Sequence, residues 1–122
     1  MLLEFCAENF TKVPEAIQLG ATRIELCDNL AEGGTTPSYA VIEQTVKYVN
    51  NHGASVVTMV RPRGGDFVYS DVEFEMMKKD LLIIKELGSH GLVFGVLTKD
   101  NRIDRERTKE LIELSGDSQT TF

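Results

Sequence analysis

The chain has 122 residues, the length of one ordinary domain, with 42% apolar and 26% charged residues, a balance that excludes a disordered, collagen-like or coiled-coil chain. Its net charge is −6, from 19 acidic against 13 basic residues. No cluster of Lys and Arg marks a phosphate-binding stripe, which argues against nucleic acid as a partner. The longest apolar run, Gly91–Leu97, is too short to cross a bilayer, so no membrane partner is expected.

The start, MLLEFCAENF, carries Glu4 and no basic segment, so it does not read as a secretory signal. Leu2–Cys6 is β-rich and predicts the first strand. Thr11–Leu19 follows as a helix, because Val13, Ala16, Ile17 and Gly20 fall at i, i+3, i+4 and i+7. Gly20 supplies its stop. Arg23–Cys27 predicts the second strand. The turn Glu32-Gly33-Gly34-Thr35 leads into Thr36-Pro37, an N-cap with proline at the first helical position. That second helix runs to about Asn51, with Ile42, Thr45, Val46 and Val49 on one face.

Ser55–Val60 predicts the third strand, and Arg61–Tyr69 a loop. Ser70-Asp71-Val72-Glu73 has the form of a capping box, with Tyr69 and Phe74 placed for a hydrophobic staple. The third helix runs to about Leu87 and Gly91–Leu97 forms the fourth strand. Asp104 caps a fourth helix with Leu111 and Ile112 facing inward, and Gln119–Phe122 begins a fifth strand.

Strands alternating with helices mean βαβ units and a parallel sheet. A closed (β/α)8 barrel takes about 250 residues, so length favours an open, doubly wound sheet. The strand faces favour the barrel. Leu3 and Phe5 oppose Glu4 and Cys6, and Ile24 and Leu26 oppose Glu25 and Cys27. Central strands of a doubly wound sheet are apolar on both faces. An apolar face for helices and a second face of acids and thiols suit a barrel wall. The expected fold is therefore α/β of the TIM-barrel type, with four β/α units and the start of a fifth strand. Residues 1–122 form one domain, the N-terminal half of a barrel, and no linker divides them.

Glu4-Phe5-Cys6 and Glu25-Leu26-Cys27 repeat one pattern on two neighbouring strands. Strands about 4.8 Å apart bring both thiols to one end of one face, where a soft thiolate pair suits Cu(I). Spacing alone favours two small buried hydrophobes, the commoner fate of free cysteine, over a metal site. Two cysteines are too few for a disulfide scaffold or a four-cysteine zinc site. Glu4 and Glu25, one layer deeper, are candidate ligand anchors or partners for Arg23 and Arg61. Arg61-Pro62-Arg63-Gly64-Gly65-Asp66 follows the third strand, where barrel sites are built. Its arginines suit a carboxylate or phosphate, or simply neutralise neighbouring glutamates. Glu32–Thr36 lacks a P-loop lysine and reads as a turn that needs glycine. Tyr69, Phe74, Met76 and Met77 read as helix packing. His52 and His90 fall at the opposite end of the strands.

Several strings resemble the CutC copper homeostasis family: Arg23-Ile24-Glu25-Leu26-Cys27, Asn29–Ser38 (NLAEGGTTPS) and Arg61–Phe67 (RPRGGDF) followed by Tyr69-Ser70-Asp71. The Glu-Phe-Cys start and Gly91–Leu97 fit as well, so the resemblance spans essentially the whole chain. It implies a cytoplasmic (β/α)8 barrel, a homo-oligomeric habit, a link to copper tolerance, and Cu(I) binding by Cys6 and Cys27. Family members run roughly twice this length, as a complete barrel requires. The chain is accordingly expected to be part of a longer product, or half of an assembly that covers its two open sheet edges.

Two functions follow as expectations. In the first, Cys6 and Cys27 hold copper and Glu4 and Glu25 tune the site. In the second, a barrel enzyme acts on a small anionic metabolite, with Arg61 and Arg63 holding the anion and Glu25 or Asp66 moving a proton. No complete catalytic constellation can be assembled from the sequence, which weighs against an enzyme and leaves catalytic residues unassigned.

Overall fold

The structure, a computed structural model, describes residues 1–122. Strands β1 (Glu4–Glu8), β2 (Arg23–Cys27), β3 (Ser55–Met59), β4 (Gly91–Val93) and β5 (Gln119–Thr121) alternate with helices α1 (Val13–Gln18), α2 (Tyr39–Asn51), α3 (Asp71–Glu86) and α4 (Arg105–Ser115). All neighbouring strands are parallel, and their order in the sheet is their order in the chain. A doubly wound sheet reverses its order at a switch point, so the unbroken order makes this the TIM-barrel type of sheet.

Local chemistry sets the helix starts. Ser70 and Glu73 form the capping box: Ser70 Oγ accepts from Glu73 N–H at 3.1 Å, and Glu73 Oε1 accepts from Ser70 N–H at 2.8 Å. Asp104 Oδ1 accepts from Arg107 N–H at 3.1 Å and starts α4. The cap of α2 is Ser38 and not Thr36, because the Thr36 hydroxyl is engaged elsewhere. It accepts from Arg61 N–H at 2.8 Å and ties the α2 approach to the end of β3.

Three further expectations shift. β1 runs two residues past Cys6, because its ladder with β2 continues through Ala7↔Leu26 and Glu8↔Cys27. β4 ends at Val93: Leu97 N–H turns away to donate to Phe67 O at 2.8 Å. Ile112 lies on the solvent side of α4, while Leu111 and Ser115 fill its buried side.

The core lies between the sheet and the helices. Ile24, Leu26, Val56 and Leu92 project from the strands to meet Val49 of α2, Met77, Leu81 and Ile84 of α3, and Leu111 of α4. Burying each large aliphatic side chain contributes about 1.5–3 kcal/mol. The sheet's other, inner face carries the alternate residues: Glu4, Cys6 and Glu8; Arg23, Glu25 and Cys27; Ser55, Val57 and Met59; then Gly91, Val93, Gln119 and Thr121. Gly91 is obligatory there, since a Cβ would stand 2.6 Å from Val57 Cγ1 and 2.8 Å from Gln119 O. β1 and β5 each have one neighbour only. Leu3, Phe5 and Leu19 are exposed along the β1 and α1 flank.

Candidate functional site

The inner face arranges its polar residues in layers set by strand register. Glu4 stands level with Arg23, Cys6 with Glu25, and Glu8 with Cys27. The repeated Glu-x-Cys patterns are thus offset by two residues, because β2 is displaced along β1. Cys27 lies one layer nearer the C-terminal strand ends than Cys6, and Glu25 is level with the Cys6 thiol rather than beneath both. The thiols share a face and lie on a diagonal between adjacent strands, and each acts on the other's titration.

Their surroundings differ. Cys6 is exposed and Cys27 is buried. The Cys27 thiol donates to Ala7 O at 3.6 Å. Above it lies Gly34, at φ +97°, where a Cβ would stand 3.3 Å from Cys27 Cβ and 3.4 Å from both Cys27 Sγ and Met59 Cε. Burial, then the neighbouring Cys6, Glu25 and Glu8, push the Cys27 thiol up to about 12. Partial burial and the charge of Glu25 also raise Cys6, while its hydrogen bond with Cys27 works the other way. Both thiols are therefore protonated at neutral pH.

The carboxylates form a second group. Arg23 Nε donates to Glu4 Oε2, and Arg23 Nη1 reaches Gln119 Oε1 at 3.3 Å. The Glu25 carboxyl is raised by burial, by its hydrogen bond to Glu4 and by Glu4's charge, against the opposing charge of Arg23. Two carboxyl groups sharing a site favour keeping one proton. Glu8 completes the rim: its Oε2 accepts from Leu30 N–H at 2.7 Å and its charge bears on Cys27.

The three candidates of the loop after β3 are placed apart from that cluster. Arg61 is buried, and its guanidinium donates to Glu32 O, to Gly34 O at 3.0 Å and to Gly65 O at 2.7 Å, with the Phe67 ring centroid 4.8 Å away. It thereby holds the Glu32–Gly34 turn over Cys27. Arg63 bonds Glu73 through Nε at 2.6 Å and Nη2 at 3.2 Å, contacts Asp66 at 3.2 Å, and donates to Val68 O at 2.9 Å. Asp66 is 69% exposed at its side chain and also accepts from Val68 N–H at 3.2 Å. Arg63 and Asp66 thus fold the loop onto α3.

The structure brings together Cys6, Cys27, Glu4 and Glu25, and adds Glu8 and Gly34. Glu8 belongs to the same alternation as Glu4 and Cys6, a signal missed by ending the strand at Cys6. Tyr69 is buried with its hydroxyl beside the Arg61 guanidinium, which its staple position did not reveal. His52 and His90 sit just before β3 and β4. His52 Nδ1 is 2.8 Å from Tyr48 O, and His90 Nδ1 accepts from Val56 N–H at 3.1 Å. No group of three or more His, Cys, Asp or Glu side chains is arranged to hold a metal. No helix is long and apolar enough to cross a membrane.

Comparison with known proteins agrees along the whole chain. The model of the CutC family matches residues 1–122. The CutC family protein of Enterococcus faecalis is 55% identical over 122 residues, which are 100% of this chain and 58% of the relative. A human copper homeostasis protein cutC homolog is 45% identical over 121 residues, covering 99% of this chain and 43% of the relative. The solved structure of CutC from Streptococcus agalactiae superposes with a TM-score of 0.92 at 47% identity, over 98% of this chain and 58% of that one. An archaeal fructose 1,6-bisphosphate aldolase shares the fold alone, with a TM-score of 0.63 at 18% identity over 90% of this chain and 41% of that one. The chain spans about half the length of the curated relatives it matches.

Proposed function

This chain belongs to the CutC family, and from that premise we propose that it serves copper homeostasis by holding Cu(I) between the thiolates of Cys6 and Cys27. The observation that carries this reading is the diagonal pairing of two thiols on one face of adjacent strands, close enough to act on each other's titration. Soft thiolates favour Cu(I), and two such donors match its low coordination number. The proposed place of action is the cytoplasm, whose reducing conditions keep the pair from oxidising.

Metal-free, both thiols carry their protons. Loading releases two protons and leaves two thiolates around one cation. The site then gains one negative charge beside Glu4, Glu8 and Glu25. Arg23, paired with Glu4, offsets part of it. Glu4 and Glu25 therefore tune the ion's affinity without binding it. Gly34, pressed against Cys27, keeps water from one sulfur.

X-ray absorption at the copper edge of the Cu(I)-loaded chain tests the donor set. Two sulfur neighbours are expected. A shell of nitrogen or oxygen neighbours would overturn the reading.

A further inference from the structure

We propose that Met59 is a third donor to the copper site, its thioether sulfur joining the thiolates of Cys6 and Cys27 as a neutral, longer contact to Cu(I). The inference rests on the copper reading and adds a ligand to it. The two short thiolate bonds stay as they are.

Register places the three sulfur residues together. Met59 ends β3 on the inner face, in the alternation Ser55, Val57, Met59. The ladder between β2 and β3 pairs Glu25 with Val57 and Leu26 with Thr58, so its next step sets Cys27 beside Met59. On its other side, Cys27 is level with Glu8 and one layer above Cys6. Cys6, Cys27 and Met59 thus occupy three adjacent strands of one face, with Cys27 in the middle.

Gly34 fixes where the side chains point. A Cβ at Gly34 would stand 3.4 Å from Cys27 Sγ and 3.4 Å from Met59 Cε. The thiol and the end of the methionine therefore meet the same point of the Glu32–Gly34 turn. The thioether sulfur is one bond from that methyl, and methionine has three rotatable bonds with which to aim it. Cys27 is fully buried and Met59 half-buried, which leaves Met59 the freer of the two to turn.

Chemistry selects the thioether over its neighbours. A thioether is a soft donor that suits Cu(I), whereas carboxylates suit harder cations. Two of the nearby carboxylates are also committed, Glu4 to Arg23 and Glu8 to Leu30 N–H. Charge points the same way. Two thiolates around one Cu(I) already leave a negative charge beside Glu4, Glu8 and Glu25. A neutral third donor adds a contact without adding charge, which a carboxylate would do.

Two readouts on the reduced chain, titrated anaerobically with Cu(I), test it. The first is the NMR signal of methyl-labelled methionine, with Met59 identified by its absence in Met59→Leu. Cu(I) is expected to move the Met59 methyl and to leave that of Met77, buried under α3, in place. The second is the Cu(I) affinity of Met59→Leu, a swap of similar volume that keeps both thiols. It is expected to fall at least tenfold, with the same climb per pH unit as wild type, because a thioether releases no proton on binding. A Met59 methyl that stays in place at saturation would overturn the proposal, and so would equal affinity in Met59→Leu and wild type. A changed pH climb would put the loss at the thiols and overturn it as well. Wild type that binds Cu(I) no more tightly than the double variant Cys6→Ser, Cys27→Ser would contradict the copper reading itself. With that thiol-dependent binding intact, the methyl signal and the Met59→Leu affinity judge Met59 alone.

Discussion

Gly34 lies directly against Cys27: a Cβ at Gly34 would stand 3.3 Å from Cys27 Cβ and 3.4 Å from its sulfur. The turn that carries Gly34 is held there by Arg61, which donates to Gly34 O at 3.0 Å. Backbone conformation adds a second constraint, since φ at Gly34 is +97°. Gly34→Ala is therefore expected to cost about 1–3 kcal/mol from crowding a packed site and to displace the Cys27 thiol. Urea denaturation checks the first effect. Equal stability of Gly34→Ala and wild type would contradict the packing described.

Glu25 is the shared electrostatic neighbour of both thiols. Its charge raises Cys6 and Cys27, and its own carboxyl is raised by burial and by Glu4. A group whose pKa is higher in the folded state stabilises the fold while protonated, and that stability is lost as pH rises through the folded pKa. Glu25→Gln fixes the neutral form. It is expected to raise Tm at pH 7 and to leave it nearly unchanged at pH 4, where Glu25 already holds its proton. The same variant should lower the pKa of Cys6, read from the pH dependence of alkylation at this exposed thiol. Unaltered Cys6 alkylation would show that Glu25 does not govern the thiols.

Much of this was legible in the sequence, for physical reasons. The alternation of Ile24 and Leu26 with Glu25 and Cys27 identified the two faces of β2, because side chains in a strand alternate strictly. The capping box at Ser70–Glu73 was legible because its two hydrogen bonds are local. Register was not legible. Matching the two Glu-x-Cys patterns put the thiols level, whereas the ladder sets Cys6 against Glu25 and Cys27 against Glu8. Strand displacement depends on the whole sheet and leaves no local mark. The α2 cap was misplaced for a similar reason: Thr36 is drawn off by a backbone group 25 residues away. The role of Arg61 also needed the structure, since its partners are backbone carbonyls of Glu32, Gly34 and Gly65 that residue types do not announce.

The open strands predict association. β1 has one neighbour, and Phe5, Leu3 and Leu19 are exposed beside it. Unpaired N–H and C=O groups along such an edge recruit further strands. Static light scattering of the 122-residue chain should show a mass above that of a single copy, rising with concentration. A monodisperse monomer that unfolds cooperatively would contradict this expectation.

The thiol pair is the centre of the functional proposal, and an anaerobic Cu(I) competition titration of the reduced chain tests it most directly. Wild type is compared with the double variant Cys6→Ser, Cys27→Ser, with circular dichroism confirming that both are folded. Wild type should bind one Cu(I) per chain. Its affinity should climb by up to about 100-fold per pH unit near neutrality, because two thiol protons leave on binding. The double variant should lose that binding and its pH dependence. Equal affinity in the two chains would return Cys6 and Cys27 to packing roles and contradict the copper site.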